Sequence, residues 1–233
     1  MRIEAKGYFL KEYGSWSVLT IAYIIGLGVS RSYSWKAIPV YLALGLLINS
    51  KQAFTKVLRR TGDRTSLAVF LGQILIAAVI LLVVFRRDIP FLLPLLIFPA
   101  AYLIMNKIAG EHFIITEVLG FTLLSLAAVL AKFLLTGGLD VRLFVGVAVY
   151  FSAGVFKIKA VLFKKTWDRV LTVLAVVFAL FAYQRMHIQT IILLPLLDNL
   201  VAAATLYRVK LQTTGWTEMV KSLLFLCLFL AYY

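Results

Sequence analysis

The sequence predicts an all-α membrane protein, a bundle of about nine transmembrane helices in a single integral membrane domain, residues 1–233. Hydrophobic residues make up 63% of the chain and the mean hydropathy is +0.98, which leaves too little polar surface to cover a soluble domain. Apolar runs recur from Ser17 onward with short basic patches between them, and about 18 apolar residues suffice to cross a bilayer as a helix. The segments between the runs are too short to fold alone.

The first four predicted spans cover residues 16–29, 37–49, 67–85 and 91–105. The first begins at Trp16, and the second ends at Asn49, where a basic stretch follows. The third contains no charged residue. The fourth contains Pro94 and Pro99, which predict a kink. If the second or fourth segment is re-entrant, the chain has eight spans instead of nine.

The remaining five predicted spans cover residues 113–135, 143–156, 170–183, 188–207 and 220–232. The fifth contains Glu117 and Lys132 as its charged residues. Small residues at helical spacing in the sixth, Ala148 and Ser152, suit close helix packing. The eighth contains Asp198, the deepest charge in the predicted bundle, and the ninth contains the single cysteine, Cys227, read as a small buried apolar residue.

The net charge of +14 is distributed unevenly between the two sides of the predicted bundle. Most of the 24 Lys and Arg residues fall on the side of the N-terminus. The positive-inside rule therefore predicts a multi-pass protein of the cell membrane with a cytoplasmic N-terminus. The basic residues lie in short connections between apolar segments, where they meet anionic lipid heads, so nucleic acid is not an expected partner.

Ionisable residues inside spans are costly, and they tend to line cavities or face partners. Asp198 and Glu117 are candidates for acid–base or orienting roles in a catalytic site, although a structural ion pair or a protonated carboxyl is an equal alternative for Asp198. We expect polar groups near the cytoplasmic ends to converge on an inward-facing pocket that binds substrate. The candidates are Glu12, Asn49, Lys51, Lys56, Lys157, Lys159 and Glu218. The alternative for the lysines is simple extension to the interface.

Signatures of soluble enzymes are missing from the sequence. It contains no P-loop, Rossmann glycine pattern, zinc-binding H-E-x-x-H or nucleophile elbow. A single cysteine excludes an intramolecular disulfide and a cysteine-based metal site. We therefore predict neither a metal site nor a cofactor.

Several short segments resemble the YwiC-like family of polytopic membrane proteins. Residues 11–16, Lys-Glu-Tyr-Gly-Ser-Trp, resemble its K-E-H-G-x-W start, with Tyr13 in place of histidine. Residues 117–120 resemble its E-x-x-G, and residues 149–159 its aromatic segment ending in lysine. Tyr-Arg at 207–208 with Gly-Trp-Thr-Glu at 215–218 resembles its last basic turn. The resemblance implies a multi-pass protein without assigning an activity.

The chain also resembles, more distantly, the UbiA-type prenyltransferases. That family has nine helices, a cytoplasmic N-terminus and functional loops after helices two and six, which match the basic connections 50–66 and 157–169. Its first loop carries N-x-x-x-D-x-x-x-D, whose carboxylates bind magnesium. Here Asn49 is followed by Ala53 and Val57, and the second connection offers Asp168 near its end. The resemblance implies an intramembrane transferase that lacks the Asp-rich magnesium motifs.

Three functions follow as alternatives. The first is a cytoplasm-facing site for a lipid-like or isoprenoid molecule with an anionic head, bound by lysines. The second is a small secondary transporter or permease in which Asp198 and Glu117 carry protons or ions. The third is a non-catalytic membrane partner of a larger complex. Membrane lipids are the expected partners in all three, and the sequence identifies no protein partner.

Overall fold

The computed structural model describes residues 13–58, 64–205 and 211–233, and these residues form helices joined by short turns. The prediction of an all-α multi-pass bundle is confirmed, since eight helices in the described ranges are long and apolar enough to cross a membrane. Seven of the eight are continuous. They are α1 (Tyr13–Ser30), α2 (Ala37–Leu58), α3 (Arg64–Val84), α6 (Ile114–Thr136), α7 (Val141–Phe163), α8 (Thr166–Arg185) and α10 (Leu211–Tyr232).

The fourth span is interrupted, as its prolines predict. It consists of α4 (Ile89–Leu92), a 3-10 turn (Leu93–Leu96) and α5 (Ile97–Ala109). Pro94 lies in the 3-10 turn, because a proline inside a helix removes one backbone hydrogen bond and clashes with the preceding turn. Pro99 lies in the first turn of α5, where proline is tolerated.

Two helices extend well past the predicted ends of their spans. The second span continues from Asn49 to Leu58, so Lys51 and Lys56 lie on α2 rather than in a loop. The sixth continues to Phe163, which places Lys157 and Lys159 inside α7. The predicted loop boundaries are wrong here because hydropathy marks where a helix leaves the apolar layer, whereas backbone hydrogen bonding continues through polar residues.

A broken segment, Thr190–Thr205, lies alongside α7 and α8. It begins as a 3-10 helix (Thr190–Leu196) and continues as α9 (Leu197–Thr205). Rises of about 2.0 Å per 3-10 residue and about 1.5 Å per α residue give roughly 27 Å in total. This length approaches the hydrocarbon thickness of about 30 Å. The segment is therefore almost long enough to cross the membrane as a short ninth span.

The bundle has two ends that differ in charge. At the basic end lie Lys51, Lys159 and Arg169. The Arg169 guanidinium donates to the carbonyls of Ala203 (2.6 Å) and Ala204 (3.1 Å). These backbone carbonyls in the last turn of α9 thereby gain hydrogen-bond partners. The opposite end, called the distal end, contains the turns around Ser30, Asp140 and His187, where Arg142 donates to the His187 carbonyl at 2.9 Å.

Close backbone packing of α1 against α6 forms one side of the core. A Cβ atom added to Gly26 would lie 2.1 Å from the Ala128 carbonyl oxygen. Only glycine at this position therefore allows α1 and α6 to approach each other so closely. The other side of the core joins α7 to α10. The rings of Tyr150 and Phe225 stack with centroids 3.6 Å apart, and the Tyr150 hydroxyl donates to the Lys221 carbonyl at 3.1 Å. These contacts hold α10 beside the polar face of α7.

Candidate functional site: a charge network between three helices

Four ionised side chains meet where α7, α9 and α10 come together. The Lys157 ammonium on α7 donates to the Asp198 carboxylate and to Glu218 Oε1, the latter at 2.5 Å. Lys221 on α10 contacts the same two carboxylates, with its Nζ 3.2 Å from Asp198 Oδ2 and 3.0 Å from Glu218 Oε1. Each ammonium therefore bridges both carboxylates. We call these four side chains the charge network.

A buried amide completes the network. Asn199 is fully buried; its Nδ2 donates to the Ala153 carbonyl at 3.1 Å, and its Oδ1 accepts from Lys221 Nζ at 2.6 Å. The first hydrogen bond fixes the amide on α7, so its oxygen points at the second lysine. Because unpaired buried polar groups are costly, the pairing of both amide ends makes this contact specific.

The network lies within the helices rather than at their ends, and it contains equal numbers of ammonium and carboxylate groups. Lys157 is six residues from the last residue of α7, a depth of about 9 Å along the helix. Two ammonium groups offset two carboxylates, so the cluster carries no formal net charge when all four are ionised. Balance matters because an isolated charge at mid-bilayer costs about 2.5–3.5 kcal/mol even on lenient insertion scales.

The two signs of charge differ in accessibility. The Lys157 side chain is 0% exposed and that of Lys221 is 10% exposed, whereas Asp198 keeps 35% and Glu218 25%. The carboxylates therefore face the open side of the cluster with the ammonium groups behind them.

The change of helix type lies directly before the acidic residue. Pro195 lies inside the 3-10 helix, and α9 begins at Leu197, one residue before Asp198. The Leu197 backbone N–H donates to the Leu194 carbonyl, so the 3-10 helix passes into α9 without an interruption of its hydrogen bonds. Discontinuous helices with a charged group at the break are typical of ion sites in membrane transporters.

A second set of ion pairs occupies the basic end. Lys159 Nζ lies 3.0 Å from Glu117 Oε2 and donates to the His112 carbonyl at 3.0 Å. Lys51 on α2 pairs with Glu111 at 2.8 Å. These pairs link the turn before α6 to α2 and α7. We call Lys51, Glu111, Glu117 and Lys159 the basic-end pairs.

The predicted substrate residues thus divide between the two clusters. Lys157, Asp198 and Glu218 meet in the charge network. Glu117, Lys159 and Lys51 belong to the basic-end pairs. Asn49 is buried on α2, and Lys56, seven residues later on the same helix, is half-buried. Glu12 lies outside the described residues. The shared inward-facing pocket of Glu12, Asn49, Glu117 and Lys157 stays a prediction.

Sequence reasoning did not identify one member of the charge network, Lys221. A signal for its role was present. Glu218 and Lys221 are three residues apart, so they share one face of a helix. Asn199 is adjacent to Asp198, but only the packing of α9 against α7 shows that its amide faces Lys221.

A third polar cluster lies at the distal end. Asp140 caps α7 by accepting from the Leu143 backbone N–H at 2.9 Å, and it also accepts from Lys132 at 2.5 Å and from the Tyr233 hydroxyl at 2.8 Å. Burial alone would raise the pKa of Asp140, but the hydrogen bonds from these three donors outweigh it and lower the pKa below its usual value. The ionised carboxylate therefore links Lys132 of α6 and Tyr233, directly after α10, to the start of α7.

Within the part of the chain that the structure describes, no group of three or more His, Cys, Asp or Glu side chains is arranged to bind a metal. Cys227 is a free, exposed thiol on α10, not the buried residue expected from the sequence. Comparison with models of protein families, with curated proteins and with solved structures gave no match.

Proposed function

We propose that this integral membrane protein is an ion-coupled secondary transporter and that the charge network binds the coupling proton or cation. The observation that carries the proposal is the accessibility of the two signs of charge: Asp198 and Glu218 are partly exposed, and Lys157 is fully buried. An anionic substrate approaching from the open side would be repelled by the carboxylates, whereas a proton or cation would be attracted.

The break before Asp198 supports the same proposal. The junction of a 3-10 stretch with an α-helix is a common hinge, because 3-10 hydrogen bonds are poorer than those of an α-helix. A change at Asp198, such as protonation, weakens its contacts with Lys157 and Lys221 and so alters what holds α9 against its neighbours. Ion binding and movement of the broken segment are thereby coupled. We place the protein in the cell membrane with its N-terminus in the cytoplasm.

Proton flux into proteoliposomes tests the proposal. An imposed pH gradient, read by an enclosed pH-sensitive dye, should dissipate faster with the protein than in empty liposomes. Asp198→Asn should abolish the difference while the protein stays folded, since Asn retains the hydrogen-bonding shape without the charge. Asp88→Asn, in the distal turn between α3 and α4, is the matched control and should retain flux. Equal flux for wild type and Asp198→Asn contradicts the proposal.

A site for a lipid-like or isoprenoid molecule with an anionic head is the second candidate. It is supported by Lys164 and Lys165, exposed in the turn between α7 and α8 at the basic end, and by Trp167, exposed in the first turn of α8. Exposed lysines beside an interfacial tryptophan are typical of contacts with anionic lipid. Against it, Lys51, Lys157 and Lys159 already pair with carboxylates of the chain.

With the lipid site we also propose that the protein is a member of the YwiC-like family and that it has a UbiA-like transferase activity on such a lipid. Mass spectrometry of lipids co-purified with the protein tests it. An enriched isoprenoid or anionic lipid, reduced by Lys164→Gln with Lys165→Gln, favours a lipid site. If neither proton flux nor an enriched lipid is found, the non-catalytic partner protein is the function favoured.

A further inference from the structure

We infer that Lys132, Asp140 and Tyr233 form a latch that keeps the distal end of the transport path closed, and that this latch opens during transport. The inference rests on the proposed function, because a secondary transporter exposes its site to the two faces of the membrane in turn. We call these three side chains the distal latch. They lie at the end of the bundle opposite the basic end.

One face of α10 connects the charge network to the distal latch. Lys221 is followed at intervals of four residues by Phe225, Phe229 and Tyr233. Residues three or four positions apart share one face of an α-helix. Twelve residues of helix correspond to about 18 Å, so this face extends over more than half of the hydrocarbon layer. A tilt of α10 therefore moves the latch and the network relative to each other as parts of one rigid element.

Aromatic rings fill the contact between α7 and α10 on the distal side of the network. The Phe225 ring stacks on Tyr150 of α7 with centroids 3.6 Å apart. The Phe229 ring lies 5.3 Å from that of Phe225 and 4.8 Å from that of Tyr233. Phe225 and Phe229 are fully buried, and Tyr150 is 4% exposed. The stacked rings therefore close the route between the two helices from the network to the distal end.

The ring contacts allow α10 to tilt at this end. A Cβ atom added to Gly146 of α7 would lie 3.2 Å from a carbon of the Phe229 ring, so this ring packs directly against the helix backbone. Such contacts are van der Waals contacts, and their separation breaks no hydrogen bond within either helix. At the network end the Tyr150 hydroxyl donates to the Lys221 carbonyl, which keeps α10 attached there. The distal end of α10 can therefore move while the network end acts as a pivot.

Polar contacts hold the distal end of α10 in the closed position. The Asp140 carboxylate accepts from the Tyr233 hydroxyl at 2.8 Å and from Lys132 at 2.5 Å. The Lys132 ammonium also lies 5.7 Å from the centroid of the Tyr233 ring. The side chains of Lys132 and Asp140 are 21% and 18% exposed, so water reaches them when they separate. Water then replaces the lost hydrogen bonds, and for this reason the latch opens at low cost.

Distances between spin labels on α7 and α10 test the inference in the purified full-length protein. The background is Cys227→Ser, which removes the exposed thiol of α10. One pair of labels, at Val141→Cys and Tyr232→Cys, reports on the distal ends of the two helices. A second pair, at Leu162→Cys and Trp216→Cys, reports on their basic ends. All four labelled side chains are exposed in the structure.

We expect Tyr233→Phe, which removes the hydroxyl and keeps the ring, at least to double the population of longer distances at the distal pair. Lys132→Met removes the other side-chain donor to Asp140 and should have the same effect, so the test does not depend on one variant. The distances at the basic ends should stay unchanged, because the charge network still holds α10 there. Tyr41→Phe is the matched control and should change neither pair, since it also removes one hydroxyl contact between helices, that with Thr20 at 2.8 Å.

Unchanged distal distances in the folded latch variants overturn the inference. Equal broadening at both ends also overturns it, because this result indicates a general loss of packing. The proton-flux experiment separates these failures from failure of the proposed function, since the spin-label distances are measured without transport. Flux that depends on Asp198 with unchanged distal distances leaves the transporter proposal standing without this latch. A distal shift without such flux overturns the transporter and with it the role of the latch in transport.

Discussion

Lys157 and Lys159 lie two residues apart on α7 and pair with carboxylates on opposite sides of that helix. Lys157 contacts Asp198 on α9 and Glu218 on α10, whereas Lys159 contacts Glu117 on α6. Two residues correspond to about 200° around an α-helix, which explains the separation. The helix α7 therefore joins the charge network to the basic-end pairs. Lys157 and Lys159 look like one short basic patch in the sequence, but each belongs to a different cluster.

Loss of Lys157 should destabilise the protein far more than loss of Lys159. Lys157→Met leaves two carboxylates with one ammonium in a buried cluster, and breaking a buried pair costs about 3–5 kcal/mol. Lys159 is 12% exposed and pairs with the single carboxylate of Glu117, so Lys159→Met should cost less. Denaturation in detergent measures both. Lys157→Met combined with Asp198→Asn restores the charge balance and should recover part of the loss; similar losses for the two single variants would contradict the buried network.

Gly26→Ala should be strongly destabilising because the added methyl group meets the Ala128 carbonyl, a backbone atom that cannot rotate away. Overpacking in a well-packed core costs about 1–3 kcal/mol. Gly72→Ala is the control, since a Cβ there meets nothing within 4 Å and alanine favours the helix by roughly 0.5–1 kcal/mol. The free energies of unfolding should therefore move in opposite directions, and a tolerated Gly26→Ala would rule out the close contact of α1 with α6.

Protonation of the Asp140 carboxylate should lower the stability of the folded protein in acid. Because the pKa of Asp140 is lowered in the folded protein, its ionised form contributes stability that is complete above the usual aspartate value of about 4. That contribution is lost as the pH falls through the lowered value. Asp140→Asn keeps a side chain suited to helix capping but has no charge to titrate. The difference in unfolding temperature between wild type and variant should therefore shrink below about pH 4, and a difference independent of pH would contradict this role.

A reporter fused after Tyr233 should read as extracytoplasmic. This follows from the distribution of basic residues, which predicts a cytoplasmic N-terminus, together with a broken segment long enough for a ninth crossing. A fusion in the turn around Lys164 and Lys165 should read as cytoplasmic and acts as the control. A cytoplasmic reading at Tyr233 would mean an even number of crossings and would leave the broken segment as a re-entrant element.

The sequence was sufficient for the fold class and for the positions of the long spans, because apolar runs must lie in lipid and backbone groups there must bond within a helix. It was also sufficient for the break at Pro94, a local steric effect. It misplaced the ends of α2 and α7, because a helix continues in polar surroundings as long as its own hydrogen bonds are satisfied. The 3-10 form of residues 190–196 went unpredicted although Pro195 lies within it.

What the sequence determined by itself was that Asp198 and Glu117, the acidic residues inside predicted spans, are costly in a membrane and have to be offset by partners, whatever the fold. Their partners were decided by the tertiary structure alone. Lys157 and Asp198 are 41 residues apart, and Lys157 and Glu218 are 61 apart. Periodicity assigns a residue to a face of its own helix, but which faces meet depends on how α7, α9 and α10 pack, a property of side-chain shapes summed over the whole bundle.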